Sequence, residues 1–469
     1  MNSGFRFLSY QSQPLDGFVS VEHMPSALTA FNYEAGDHGA DTISLSGLEK
    51  DVYEDSISEG VNNNFDLKEW FKLEEAEYNG GAGTVWNHHH GRNVSPFFAN
   101  EDSAYPVAGN QNSSKGRIGI KKIMARIRLT EEAMDDLVSS EASFRNGMTD
   151  EKTRVVDDLS RRENQALGMD GRGVLALLNG SATAAVWPVD SPGGIAGADF
   201  GNRFFDVGMF VAAVSPTTGA LRTSIRKVTA AAAAGTSLTL DAATFTGWAD
   251  NDYLVAAANG SVTDILDTSF EAAFWGLPAL VDDGTYRDNY FQILRSQVPS
   301  LSSYVVASLG AMSMDAAQRT ADVVYNKLGG IIDAICMHTS TRREWLKITD
   351  ADRRYSGADL RNPDPSTKAF TQGDITVDDV KIKALRTIGL AQAYFLDTKK
   401  SGFKRYVAEP GKFMDKDGTM WMRAGTGSTA RHAYEATYFR RVQNFCKNPG
   451  VNARWDGISG QTLVIVRDL

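Results

Sequence analysis

The chain has 469 residues, room for roughly three domains or subdomains of about 150 residues each. Hydrophobic residues make up 42% and charged residues 23%, which excludes a mostly disordered chain, a collagen-like fibre and a pure coiled coil. A net charge of −10 makes it an unpromising general binder of nucleic acid.

That charge is not evenly spread. Thirteen acids and three bases lie between Glu34 and Glu77, so this stretch alone carries −10 and the rest of the chain sums to zero. Residues 1–75 lack a sustained helical or strand period and are punctuated by Gly, Asn and Ser, which predicts an extended acidic arm that orders against a partner. At its end, Leu67 to Glu77 reads as a short amphipathic helix built on Leu67, Trp70, Phe71 and Leu73. Met1 to Gln13 lack a basic segment followed by an apolar core, so no signal peptide is expected. No apolar run approaches the ~18 residues of a membrane helix.

Residues 79–116 are rich in Gly, Asn, Ser and Pro, and their ends are strand-like. Ile118 to Leu129 then alternates apolar and basic residues. Together they read as a long protruding hairpin, which should lie on a neighbour because a lone hairpin is marginal in water. Lys115, Arg117, Lys121, Lys122, Arg126 and Arg128 fall within fourteen residues containing no acid. One reading is two solvated faces, the acidic and the basic. The other is an acidic arm, including Glu54, Asp55, Glu74 and Glu75, docking on a basic surface (Lys115, Arg117, Lys121, Lys122) of the same or a neighbouring chain.

Thr130 to Leu137 opens a helix with Glu131 and Glu132 in its first turn, where the dipole favours acids. A longer helix, capped by Thr149 or Asp150, runs to about Leu167 with Val155, Leu159, Arg162 or Glu163, and Ala166 about one turn apart along one face. Glycines 168, 171 and 173 break it before the apolar Val174 to Leu178. Residues 203–262 carry short β-type runs between turn clusters and read as a small inserted β module. Met314 to Gly330 reads as a helix, Ile331 to Met337 as a buried strand, and Arg342 to Ile348 as a further helix preceded by the cap His338 to Thr341. Ile375 to Leu396 holds alternating strands, Tyr434 to Phe445 alternates, and Leu463 to Val466 closes the chain as a strand.

The search for chemistry yields little. There is no GxxxxGK[ST] and no GxSxG, and Gly168 to Gly173 follows a helix, the wrong context for a phosphate loop. His88, His89 and His90 can place at most two ligands on one side of a strand, and neither CxxC nor HExxH accompanies them. Asp282-Asp283 and Asp378-Asp379 read as solvated turn acids rather than a glycosidase pair. Cys336 and Cys446 read as buried free thiols. No catalytic residue, cofactor or metal ligand is assigned, and the chain is not read as an enzyme.

The order of elements resembles the tailed-bacteriophage major capsid proteins of the Hong Kong 97 type. Arg117 to Ala182 carries the likeness: Ile118 to Thr130 resembles the strand leaving the family's extended loop, Arg162-Glu163-Asn164-Gln165-Ala166-Leu167 resembles the end of its spine helix, and Leu177-Leu178-Asn179-Gly180-Ser181 resembles the "LLNG" that follows. Tyr290 to Ser296 and Arg342 to Leu346 resemble parts of the axial domain, and Ile375 to Phe395 the return through the peripheral domain.

The resemblance implies an α+β capsid fold: an arm (1–75), an extended loop (76–117), a peripheral domain with spine helix (118–180), an axial domain with a β-rich insertion at about 203–262 (181–370), peripheral return strands (371–410) and a C-terminal axial part (411–469). It implies self-assembly through hexamers and pentamers into an icosahedral head enclosing double-stranded DNA, formed in the host bacterial cytoplasm. The partners are other copies of the chain, a portal, and scaffold or decoration proteins, with no membrane. Two alternatives stand beside it: the shell of an encapsulin-like cellular nanocompartment, and a carbohydrate-active enzyme or binding module.

Overall fold

The structure, a computed structural model, describes residues 65–460 except 72, 79–80, 82, 133–146, 181–184, 196–199, 223–224, 234, 242–246, 351–375, 378–379, 416–418 and 426–430. Glu54 and Asp55, most of the Thr130–Leu137 helix, Asp378-Asp379 and the strand Leu463 to Val466 lie outside the described residues.

In chain order, helix α1 (Asp66–Trp70) leads to strand β1 (Glu74–Glu77), then β2 (Thr84–Gly91), β3 (Asn112–Ile118) and β4 (Lys121–Thr130). Helix α2 (Gly147–Leu167) follows. Six strands come next: β5 (Val174–Leu178), β6 (Val186–Asp190), β7 (Phe210–Val214), β8 (Arg226–Ala231), β9 (Ser237–Leu240) and β10 (Tyr253–Ala256). The short β11 (Asn289–Tyr290) and β12 (Ile293–Leu294) precede β13 (Tyr304–Val306), helix α3 (Met314–Leu328), β14 (Ala334–Met337) and helix α4 (Thr339–Asp350). The remainder is β15 (Thr376–Val377), β16 (Val380–Ala384), β17 (Ala393–Leu396), β18 (Phe403–Phe413), β19 (Met422–Arg423), β20 (Ala433–Cys446) and β21 (Ala453–Trp455).

The long strand β20 organises one sheet. One edge pairs antiparallel with β4, from Thr130 opposite Ala433 to Lys121 opposite Val442; the other pairs with β18 and β19, and β1 adds parallel to β18. The alternation of β4 puts Ile127 and Leu129 in a cluster with Val155 of α2, while the basic residues Lys122, Arg126 and Arg128 share the opposite face. A second sheet, ordered β13-β21-β17-β14-β16-β15, packs Phe395 and Trp455 against Trp345 of α4 and Val324 of α3. Helix α3 is capped by Ser313, whose hydroxyl accepts from the Ala316 amide, and stopped by left-handed Gly329.

Several expectations shift. The helix expected over Leu67 to Glu77 ends at Trp70, because Leu67 and Phe71 turn into the core, Phe71 edge-on to Phe403 at 4.8 Å. Five residues cannot sustain a helix alone, and Glu74–Glu77 instead forms β1 alongside Lys404 and Arg405. The hairpin is β2 with β3; β4 leaves it and joins β20. The β module begins at Val174 rather than at 203, since β5 and β6 complete a closed barrel, β10-β5-β6-β9-β8-β7. Helix α4 starts at Thr339 with His338 as its cap: the ring Nδ1 accepts from the Ser340 amide at 3.1 Å, and burial together with Arg203 pushes that imidazole down to about 3, keeping it neutral. Cys336 and Cys446 are buried and free.

Candidate assembly surfaces and their anchors

The β2–β3 hairpin is two-sided. On its inner face Trp86 lies edge-on to Phe445 at 5.0 Å and Tyr290 at 6.0 Å, Ile118 is buried, and His88 Nε2 meets Ser300 Oγ at 2.7 Å. The Arg117 amide donates to the Phe291 carbonyl at 3.0 Å. Gly116 is required here: a Cβ would lie 2.3 Å from Trp86 Nε1 and 2.8 Å from that carbonyl oxygen. Lys115 and Arg117 point to the exposed face. The consecutive histidines alternate: His88 is buried and stacked at 6.5 Å on His90, and His89 lies exposed on the other face. Among the described residues no three ligating side chains converge.

Beyond the paired strands, residues 92–111 form a tip whose Val94, Phe98, Tyr105 and Val107 are almost wholly exposed. Glu101 and Asp102 occupy the apex, in a turn closed by the Ser103 amide donating to the Asn100 carbonyl at 3.2 Å.

Of the other residues expected to form an assembly surface, Lys121, Lys122, Glu74 and Glu75 are described and have neighbours within the chain. Lys121 donates to the Glu271 carbonyl at 2.5 Å, and the ammonium groups of Lys122 and Lys412 lie over the Phe439 ring at 4.8 and 5.7 Å. Glu74 pairs with Lys404 at 3.3 Å, and Glu75 stands beside Arg405 in the β1–β18 register. The predicted acids and bases are therefore not brought together among the described residues.

Three buried clusters, none anticipated from the sequence, hold these surfaces in place. Glu163 of α2 is fully buried and receives Lys68 at 3.0 Å, Arg405 at 3.1 Å and Arg440 at 3.1 Å. Burial opposes its ionisation, but Arg405, Arg440 and Lys68 outweigh this and hold its carboxyl below the usual carboxylate range. Its neighbour Asn164 accepts from the Lys68 amide at 2.9 Å and donates to Asp66 at 3.2 Å and Thr387 at 2.8 Å. Asp66 in turn accepts from the Arg386 amide and, at 2.7 Å, from the Thr387 hydroxyl. One helical turn thus fastens the end of the acidic segment to the β18–β20 sheet and to the loop that follows β16.

The second cluster corrects the expectation that Asp282 is a solvated turn acid. It is fully buried, pairs with Arg295 at 2.9 Å and Arg454 at 3.1 Å, and accepts from the amides of Gly284, Tyr286 and Arg287. Arg454 also pairs with Asp456 at 2.9 Å. Asp283 remains a turn acid, accepting from Thr285. The third cluster lies in the glycine-rich loop, where buried Asp170 is paired with Arg172 and Arg172 donates to the Tyr253 hydroxyl at 2.6 Å. A carboxylate fills the place where a phosphate loop would offer amides.

Among the described residues no helix is long and apolar enough to cross a membrane. No protein-family model and no curated protein matches the chain. Solved structures do. The cyanophage A-1(L) capsid asymmetric unit is similar over 90% of this chain and 100% of that one, with 11% identity and a TM-score of 0.50. The Gordonia phage Cozz structure covers 94% of this chain and 99% of its own at 10% identity and a TM-score of 0.43. The capsid of the native GTA particle covers 87% and 95% at 11% identity and a TM-score of 0.43. The likeness to the cyanophage capsid is one of fold: this mixed helix-and-sheet chain has the fold of a phage capsid subunit.

Proposed function

We propose that the chain is a major capsid protein, assembling through hexamers and pentamers into an icosahedral head around the double-stranded DNA of a tailed phage. The observation carrying this reading is a fold shared with a capsid subunit over nearly the whole of both chains. The chemistry is consistent with a structural role: the buried acids Glu163, Asp282 and Asp170 are each paired with arginine and act as staples.

In this reading the sheet around β20 with α2 serves as the peripheral domain and spine helix. The sheet around β21 with α3 and α4 serves as the axial domain, the β2–β3 hairpin as the extended loop, and the barrel from β5 to β10 as the insertion. Residues 1–75 serve as the arm, and the acidic residues Glu54, Asp55, Glu74 and Glu75 meet basic residues such as Lys115, Arg117, Lys121 and Lys122 between copies. A net-neutral body suits a container that does not grip its contents. The subunits meet portal and scaffold or decoration proteins, and assembly takes place in the bacterial cytoplasm.

Electron microscopy of the expressed full chain tests the proposal: closed shells support it, and a monomer under all assembly conditions overturns it. Extraction of nucleic acid from particles formed during infection separates a DNA head from a nanocompartment around a protein cargo.

A further inference from the structure

Among the described residues two surfaces are left uncovered, and they match each other. The first is the hairpin tip, where Phe97, Phe98 and Tyr105 flank the apex acids Glu101 and Asp102, and Tyr105 is 99% exposed. Exposed apolar residues gathered in this way mark a contact surface. Because they are exposed, they are not seated on the described residues of their own chain.

The second is a groove of about 480 Å³ between β4, the end of α2 and the barrel. It is lined by Met124, Leu175, Leu266 and Phe274, with Leu266 84% and Met124 58% exposed at its lip. Lys122 and Arg162 line it too, against one acid, Asp267. Arg162 gives its guanidinium protons to Gln165 Oε1 at 2.7 Å, the Phe204 carbonyl at 3.1 Å and the Met209 sulfur at 3.5 Å. Among the described residues no carboxylate pairs with it; the nearby Asp206 is held by Arg161 at 2.7 Å. A half-buried guanidinium held by neutral acceptors beside an apolar groove suits an anion carried on an apolar body.

A smaller groove of about 260 Å³ between α3 and the second sheet is lined by Tyr325, Ile331 and Asp322 and offers no cation. An acidic tip is disfavoured there.

We propose that the tip of one copy seats in the β4–barrel groove of a second copy, its aromatic residues on Met124, Leu175 and Leu266 and its apex acids toward Lys122 and Arg162. This rests on the shell-subunit reading and assigns the hairpin its acceptor. The barrel then supplies one wall of the seat.

Cysteine pairing across mixed particles tests it, since the native thiols Cys336 and Cys446 are buried. Phe98→Cys chains are co-assembled with Leu266→Cys chains and oxidised mildly; the comparison pair is Phe98→Cys with Ile331→Cys, which probes the smaller groove. The expected result is a covalent dimer about tenfold more abundant in the first pair, reflecting local concentration, and its reduction when Glu101→Lys and Asp102→Lys are added. Val107→Cys, on the other limb of the tip, replaces Phe98→Cys should that change prevent assembly. Shells that form without selective crosslinking overturn the seat and leave the shell reading standing. A wild-type chain that forms no shell overturns that reading and the seat with it.

Discussion

Glu163→Gln isolates the charge at the junction of α2, the end of the acidic segment and the long sheet. The substitution keeps size and hydrogen-bonding atoms but leaves Lys68, Arg405 and Arg440, at 3.0, 3.1 and 3.1 Å, without their shared anion. Glu163 is fully buried and Arg405 nearly so, so water cannot replace the lost charge. Breaking a buried pair from one side costs about 3–5 kcal/mol; the retained amide dipole and the partial exposure of Lys68 bring the expectation to about 2–4 kcal/mol. Hydrogen exchange on the unassembled subunit reads this locally, and protection should fall throughout Asp66–Trp70 and in β18 and β20 near Arg405 and Arg440. Lys68→Met should free Asp66–Trp70 while sparing the strands. The pH dependence has a definite sign. The folded carboxyl lies below its unfolded value near 4.3–4.5, so its stabilisation is complete above that range and is lost as pH falls through the folded value. Exchange in Glu163→Gln that matches the parent chain at neutral pH would show that the buried charge does not hold these elements together.

Asp282→Asn should lower stability by about 3–5 kcal/mol, because Arg295 and Arg454 are both fully buried behind it; thermal unfolding followed by circular dichroism checks this, and an unchanged midpoint contradicts it. Gly116→Ala should detach the hairpin base at a cost of about 1–3 kcal/mol from overpacking against Trp86, read as a shift in tryptophan emission. Thr387→Val removes the hydroxyl shared by Asp66 and Asn164 and should raise proteolytic cleavage around residues 65–71 without unfolding the sheets. Reversing Lys121 and Lys122 together to Glu should impair shell formation while far-ultraviolet circular dichroism stays native, since Lys122 is exposed and Lys121 gives the fold a single bond, to the Glu271 carbonyl; normal shells from that variant would contradict the electrostatic pairing between copies.

What the sequence disclosed was local. Helix α3 is legible in its apolar spacing and its terminal Gly329, and α2 in a periodic face ending at glycines. The barrel boundary was hidden because Val174–Leu178 is apolar without alternation and its partners β10 and β6 are distant or interrupted in the sequence. Asp282 looked like a turn acid because it precedes Asp283 and Gly284; its partners lie 13 and 172 residues away. The same distance obscured Glu163, whose cations come from α1, β18 and β20. The charge bias of residues 34–77 was plain in the sequence, but where it contributes to the fold the signal was one-to-one pairing, Glu74 with Lys404, rather than the bulk patch on β3 and β4.

A capsid subunit must assemble with copies of itself into a closed shell. Negative-stain electron microscopy of the purified full chain, taken from monomeric conditions into assembly conditions, tests it most directly. Closed particles of uniform diameter, with hexameric and pentameric units on their surface, are expected. A chain that stays monomeric, or that forms only irregular aggregates across salt and pH, would contradict it.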